Sequence, residues 1–410
     1  MTAPQLYYNA LRQFSAVAYT DITGTPIIPA AGVTGPNSSI TGDVASFADT
    51  TGQVIQDSGV ALNNKNIVGS YDTRTAAASA TIATSVTFVQ TAGYAAVGDF
   101  GGSLYKHAGG STTGGFQSAD GQWWQLAVST VTPQMFGAKA DGSTNDQAAL
   151  QNAINFMQGT YGGGPIILPP GNYRVTSTVT LKGGVLLIGS GAGDVTTEIS
   201  AIVDINVINF DATCSYALLE KIFVYGYQNT GATQNVVTIA DNALAIIRDC
   251  YIWGGSSGLY TAGVDGVVEN SFIAGYTYNV ASAGANWYIR CKFDGLPGAT
   301  PTAAFVQGGY FTSGIAENHF VQCDFSGSFT YSVQINDGGT SSAITIFEGC
   351  VFSSPILIQN AKVSMFSVCE IGSTTFTVGT NSTIITGCYA FSGTTVSGAG
   401  KVLSGNVNIS

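Results

Sequence analysis

Asp294 and Asp324 are spaced as a general acid and a general base would be if strands carry them on adjacent turns of a repeating structure. One strand spacing plus a two-residue offset puts their backbones roughly 8 Å apart, inside the separation that inverting glycoside hydrolysis uses. The same distance is equally that of two ordinary solvated carboxylates, and that is the plainer reading. Leading into them are Phe223, Tyr225, Tyr251, Trp253 and Phe272, then Lys292, with Glu370 further along. Rings that stack on apolar sugar faces beside acids and amides that pair with hydroxyls suit a glycan, so Tyr225, Tyr251, Trp253 and Lys292 are read as ligand-binding. No Cys/His metal spacing or CxxC pair occurs, and neither a metal nor an organic cofactor is called for.

The elements that position these residues are repeats. One column runs through Ile222, Cys250, Ser271, Cys291, Cys323, Cys350, Cys369, Cys388 and Asn406, at steps of 18 to 32 residues. Three positions earlier and two later the residues are apolar, and both columns are assigned inward. Glu220, Arg248 and Glu269, two positions before the column, break the alternation of a straight strand, so a two-residue corner is expected between two short strands. Coils of this length describe a β-solenoid in which like residues stack about 4.8 Å apart. The cysteines then form a thiol file in the core, with nothing beside them to activate a thiolate. Glu220, Arg248 and Glu269 read as a solvated ladder of alternating charge.

A second column, four residues before the first, holds Leu218, Ile246, Val267, Trp287, His319, Ile346, Met365, Ile384 and Val402. It neighbours an inward column and must face outward, giving an exposed apolar stripe that self-association would cover. His319 falls within this stripe and is assigned to interface packing ahead of catalysis.

Composition agrees with an all-β chain. Only 9% of the 410 residues are Asp, Glu, Lys or Arg, and 53 are Gly, so tight turns and hydroxyl-rich faces replace ionic ones. A net charge of −11 excludes nucleic acid as a favoured partner. No run of 18 apolar residues is present, and Met1 to Phe14 lacks the order of a secretory signal, so neither membrane insertion nor a signal peptide is expected.

The run Phe136-Gly137-Ala138-Lys139-Ala140-Asp141-Gly142-Ser143-Thr144-Asn145-Asp146, with Ala148 and Ala149, precedes Gly162-Gly163-Gly164-Pro165-Ile166-Ile167-Leu168-Pro169-Pro170-Gly171-Asn172-Tyr173. Together these resemble the opening of the pectate-lyase-like superfamily of right-handed parallel β-helices, in the version common in bacteriophage tailspikes. Ala140 stands for a usual Gly and Asn145 for a usual Asp, both in a turn. Asn145 or Asp146 is placed to cap a helix whose apolar side is Leu150, Ala153, Ile154 and Met157, lying across the open end of the solenoid. The calcium-binding carboxylate cluster of pectate lyases and the Asp triplet with His-Gly and Arg-x-Lys of polygalacturonases are both missing. The resemblance covers about residues 130–410.

The expected organisation is an extended virion-attachment or linker segment over 1–70, a small β-module over 71–131 and a right-handed parallel β-helix over 132–410. Val44 to Val60 looks like the linker repeats of phage tail proteins, and Trp123 and Trp124 of the module are assigned to packing. The resemblance implies a homotrimeric virion tailspike, assembled in the host cytoplasm, that meets a phage tail or baseplate protein through its N-terminal segment and binds a host surface glycan. Whether it also degrades that glycan stays open; if it does, hydrolysis is favoured over elimination. The alternatives are a non-enzymatic structural or adhesive tail component, favoured by the sparse acids and by a chain ending at Ser410 without a trimerisation domain, and a free bacterial polysaccharide lyase or hydrolase.

Overall fold

At the residue before each member of the cysteine column the backbone turns left-handed. Lys221, Asp249, Asn270, Arg290, Gln322, Gly349, Val368, Gly387 and Gly405 all have φ between 49° and 64°. A single residue of this conformation breaks the strand, so each pre-corner strand ends at a position such as Glu220 and the next begins at a position such as Phe223. The corner is the two-residue one the charges require, and it repeats on nine successive coils.

The computed structural model describes residues 43–47, 55–61, 67–191, 196–262, 264–308, 317–336, 344–359, 361–372, 375–379 and 382–410. They fall into two compact units, Met1–Ile67 and Val68–Ser410. In the first, Asp43–Phe47 and Ile55–Ala61 pair antiparallel, which places a hairpin within the stretch resembling linker repeats. The remainder of the attachment reading for residues 1–70 lies mostly outside the described residues.

In the second unit, Val86–Thr91, Leu104–Ala108, Phe116–Gln117 and Trp123–Leu126 form an antiparallel sheet with Ile67–Tyr71 at its edge. Its core is Val89, Tyr105, Phe116 and Trp124. Trp124 is fully buried and donates from Nε1 to Ser118 Oγ at 3.1 Å, so its packing role stands. Asp99 organises the adjoining loop, accepting backbone N–H bonds from Tyr94, Ala95, Ala96 and Gly101 at 2.7 to 2.9 Å.

The helix Gln147–Tyr161 then buries Leu150, Ala153, Ile154 and Met157, the side assigned from the sequence, against the first coil. Asp146 occupies its N-cap position, but its carboxylate does not cap. It accepts from the backbone N–H groups of Lys139 and Ala140, both at 2.8 Å, and pins the preceding loop. Asn145 Oδ1 instead accepts from the Gln147 N–H at 3.3 Å. Ala140, where the family pattern has Gly, sits at φ 52°, in the conformation that explains the usual glycine.

The remaining strands wind into the right-handed parallel β-helix expected from the sequence. The pre-corner strands stack as an eleven-stranded parallel sheet from Gly164–Ile167 to Lys401–Ser404. The post-corner strands form a second face from Gly171–Val175 to Val407–Ile409, and a third face runs from Val179–Leu181 to Thr375–Val378. Pairing keeps strict register, as in Ile346 beside Met365 beside Ile384 beside Val402.

Like residues therefore pile on like. Each thiol of the file donates to the carbonyl oxygen of the residue three before the column on the previous coil, from Cys250 to Leu219 at 3.4 Å through Cys388 to Phe366 at 3.5 Å. Asn406 closes the file by accepting from the Cys388 N–H at 2.9 Å. Burial pushes the Cys250 thiol up to about 12, which agrees with a packing role. Arg248 sits between Glu220 and Glu269 in register and pairs with Glu269 at 3.4 Å, so the charge ladder forms as read.

Val368 is the one β-branched residue among these nine left-handed corners, and it is exposed. Left-handed backbone costs such a residue about 1–2 kcal/mol, while asparagine adopts it readily. Val368→Asn is expected to raise stability by about 1 kcal/mol, seen as a higher denaturant midpoint at unchanged slope. An unchanged or lower midpoint would contradict the strain argument.

Candidate functional site

The post-corner face presents its odd positions to solvent, and there the five aromatic residues come together. Phe223, Tyr251 and Phe272 occupy one register column, while Tyr225 and Trp253 occupy the parallel column two residues on. Tyr251 and Phe272 lie ring on ring at 4.2 Å and 5°. Trp253 packs at 5.8 Å from Phe272 and 6.1 Å from Tyr251, both nearly parallel. Phe223 closes the group edge-on to Tyr225 and Tyr251 at 5.6 and 5.3 Å. Neighbouring rings brace one another, so this wall is set before any ligand arrives. Burial raises the phenols of Tyr225 and Tyr251, which stay neutral donors.

Beyond the wall the columns turn polar. Lys292 follows Phe272 and lies beside Asp324 in register. Its Nζ is 3.7 Å from Asp294 Oδ2. Asp294 Oδ1 accepts from the Gly295 N–H at 2.8 Å, and Asp324 Oδ1 accepts from the Ser326 N–H at 2.8 Å. The four ligand-binding candidates and both aspartates thus share one face, with the aspartates on adjacent coils. Glu370, in the column of Asp324 two coils on, is separated from it by Val351. Between the wall and the corner lies a depression of about 330 Å³, lined in part by Tyr251, Phe272, Arg290 and Lys292. Arg290 is held there by Glu269 at 2.6 Å and Asn270 at 2.8 Å.

Sequence reasoning missed the opposite end of the wall. Glu198 stands directly beside Phe223 in register, one coil earlier. Its Oε1 accepts from Asn172 Nδ2 at 2.8 Å, and Asn172 Oδ1 in turn accepts from Ser200 Oγ at 2.6 Å. The signal available was Asn172 at the start of strand Gly171–Val175, but the partner lies 26 residues away.

The outer stripe also forms as one register column, and Pro165 and Leu186 extend it to the first two coils. Leu218, Ile246, Val267, Trp287, His319, Ile346, Met365, Ile384 and Val402 all retain solvent exposure. Trp287 and His319 stack at 3.9 Å and 8°, and His319 Nε2 lies 2.6 Å from Glu317 Oε1. His319 is thereby a full fold-face away from Asp294 and Asp324. Among the described residues no group of three His, Cys, Asp or Glu side chains could hold a metal ion, and no helix is long and apolar enough to cross a membrane.

Residues 131–214 match the family described as rhamnogalacturonase A/epimerase, pectate lyase-like. A mannuronan C5-epimerase of Azotobacter vinelandii, AlgE3, is 42% identical over 66 residues, which is 14% of this chain and 4% of that enzyme. The tail spike protein of Shigella phage Sf6 is 28% identical over 123 residues, 29% of this chain and 19% of that protein. Both matches thus span a small part of the relatives' lengths. Among solved structures, the tailspike of Acinetobacter phage vB_ApiP_P1 superposes with a TM-score of 0.62 at 17% identity, covering 84% of this chain and 71% of that one. The tailspike gp49 of the Acinetobacter baumannii bacteriophage Fri1, titled a capsular polysaccharide depolymerase, gives 0.59 at 14% identity, covering 82% and 69%. The chain shares the parallel β-helix fold of these tailspikes, and its match to the pectate-lyase-like family lies within 131–214.

Proposed function

We propose that this protein is a phage tailspike that binds a host surface polysaccharide along the post-corner face, as a homotrimer, with its N-terminal segment joined to the tail or baseplate of the virion. The observation that carries the reading is the in-register wall of Phe223, Tyr225, Tyr251, Trp253 and Phe272. The rings stabilise the stacked coils by packing on one another, and a ring wall followed by carboxylates is also a surface that sugar rings recognise. The likeness to tailspikes, one titled a depolymerase, supports it. Trimer formation is supported by the outer stripe, which lies on the opposite side of the corner and leaves the ring wall free.

Where the face also cleaves its glycan, Asp294 and Asp324 are assigned as acid and base of a hydrolysis. The Lys292 pairing and the backbone bonds that both aspartates accept favour a second reading, in which the face holds the polymer without cutting it. Incubation with capsule or lipopolysaccharide from the host strain separates the two, with reducing ends and unsaturated uronate absorbance as readouts. If the pair acts, Asp294→Asn and Asp324→Asn each lower the rate about 100-fold or more with binding kept. Degradation at the wild-type rate by both variants removes them from the chemistry. Binding with no new ends from the wild type establishes the adhesive reading.

A further inference from the structure

Glu198 is held on this face by neutral groups. Asp294 has Lys292 beside it, whereas no ion pair among the described residues includes Glu198. Its contacts are neutral: the Asn172 amide at 2.8 Å, the buried Ser200 hydroxyl that orients this amide, and the Phe223 ring beside it. Arg174, on the strand of Asn172, points its guanidinium at the Ser143 carbonyl oxygen at 3.0 Å. The Tyr225 phenol is the remaining titratable group facing it. The carboxyl is half-buried yet still reaches solvent at the first ring of the wall. Burial raises Glu198 above the usual carboxylate range, against the hydrogen bonds from Ser200 and Asn172, which favour the ionised form.

We propose that Glu198 and Asn172 form a polar subsite at the N-terminal end of the ring wall that takes an uncharged sugar ring seated on Phe223, with the Glu198 carboxyl and the Asn172 amide hydrogen-bonding its hydroxyls. This rests on the face being a glycan site and adds which sugar it takes there. An acidic sugar is disfavoured because, once ionised, Glu198 repels it, and among the described residues no cation pairs with Glu198. Asn172, fixed through its Oδ1 by Ser200, sets the carboxyl rotamer and offers its own amide edge.

Affinity then follows the protonation of Glu198. A hydrogen bond donated by the acid form is present at low pH and lost as pH rises through the raised value, so any share of the affinity that it carries falls with rising pH. The test uses the full chain in titration calorimetry with maltohexaose, cellohexaose and isomaltohexaose as neutral probes and hexagalacturonate as the charged one. For a neutral probe that binds, E198A is expected to lose about tenfold at pH 5. E198Q, a permanent donor, keeps the affinity and flattens the pH dependence. Tyr251→Ala reports on the wall independently. If Tyr251→Ala abolishes binding while E198A matches the wild type, or E198Q keeps the wild-type pH dependence, the subsite is overturned and the wall stands. Tighter binding of hexagalacturonate than of the neutral probes overturns the sugar class, and no binding of any probe overturns wall and subsite together.

Discussion

Phe347→Ala is expected to cost about 3–5 kcal/mol. Phe347 is fully buried and stacks between Phe320 at 4.9 Å and Phe366 at 4.7 Å. It also meets Phe325 and Phe352 edge-on at 6.0 and 5.4 Å. Removing the ring opens a void at the centre of two stacked columns, and the neighbours cannot collapse into it because each is fixed in register by its own coil. A solenoid transmits stability mainly between neighbouring coils, so the damage is local. Hydrogen exchange is expected to quicken most in strands Glu317–Val321, Ile344–Glu348 and Val363–Ser367, with the helix end at Gln147–Tyr161 little changed. Phe347→Leu, which keeps most of the volume, should cost under about 1.5 kcal/mol. A loss below about 1 kcal/mol for the alanine variant would mean the stack is loosely packed.

What could be read from the sequence was whatever repeats once per coil. The corner is legible because six cysteines and the Glu220, Arg248, Glu269 set mark its two sides. The ring wall and outer stripe then follow by counting along the strand. The third face was not legible, because its strands begin after loops of varied length and share no marker residue. For that reason the buried polar file went unseen: Asn286 donates to Thr261 at 3.1 Å, Asn318 lies 3.3 Å from Ser282, and Thr345 donates to Gln307 at 2.8 Å, each bond joining the pre-corner face to the third face. Glu198 was missed for a related reason. Its coil precedes the cysteine file, and what distinguishes it is the Asn172 and Ser200 environment rather than its own position. Asp146 shows the remaining limit: of the two residues suited to capping, Asn145 accepts from the Gln147 N–H, whereas the loop of Lys139 and Ala140 supplied competing donors to Asp146.

Ile346→Asp is expected to convert the proposed trimer, of three times the 42.1 kDa of one chain, into monomers that keep their fold. The stripe spans eleven coils, about 50 Å of continuous outward apolar surface at the spacing of parallel strands. It broadens around His319, where Ile289, Val321, Ile344 and Val363 also face outward from the same strands. Surface of this length and width is costly to leave in water. A closed ring of copies covers it while repeating one contact around an axis. Ile346 lies at the middle of the wide part, so an aspartate there would bring one uncompensated charge per chain into a shared apolar seam. The cost of desolvating each is several kcal/mol. Because Ile346 faces away from the core, the monomer itself should lose little, and circular dichroism should stay wild-type. Sedimentation of the variant at the wild-type mass would place the seam elsewhere. A monomeric wild type at micromolar concentration would refute self-association through this face. The stripe and the ring wall lie on different faces, so glycan affinity per chain should survive dissociation, while attachment to a multivalent polysaccharide should fall by about 100-fold as the linked sites separate.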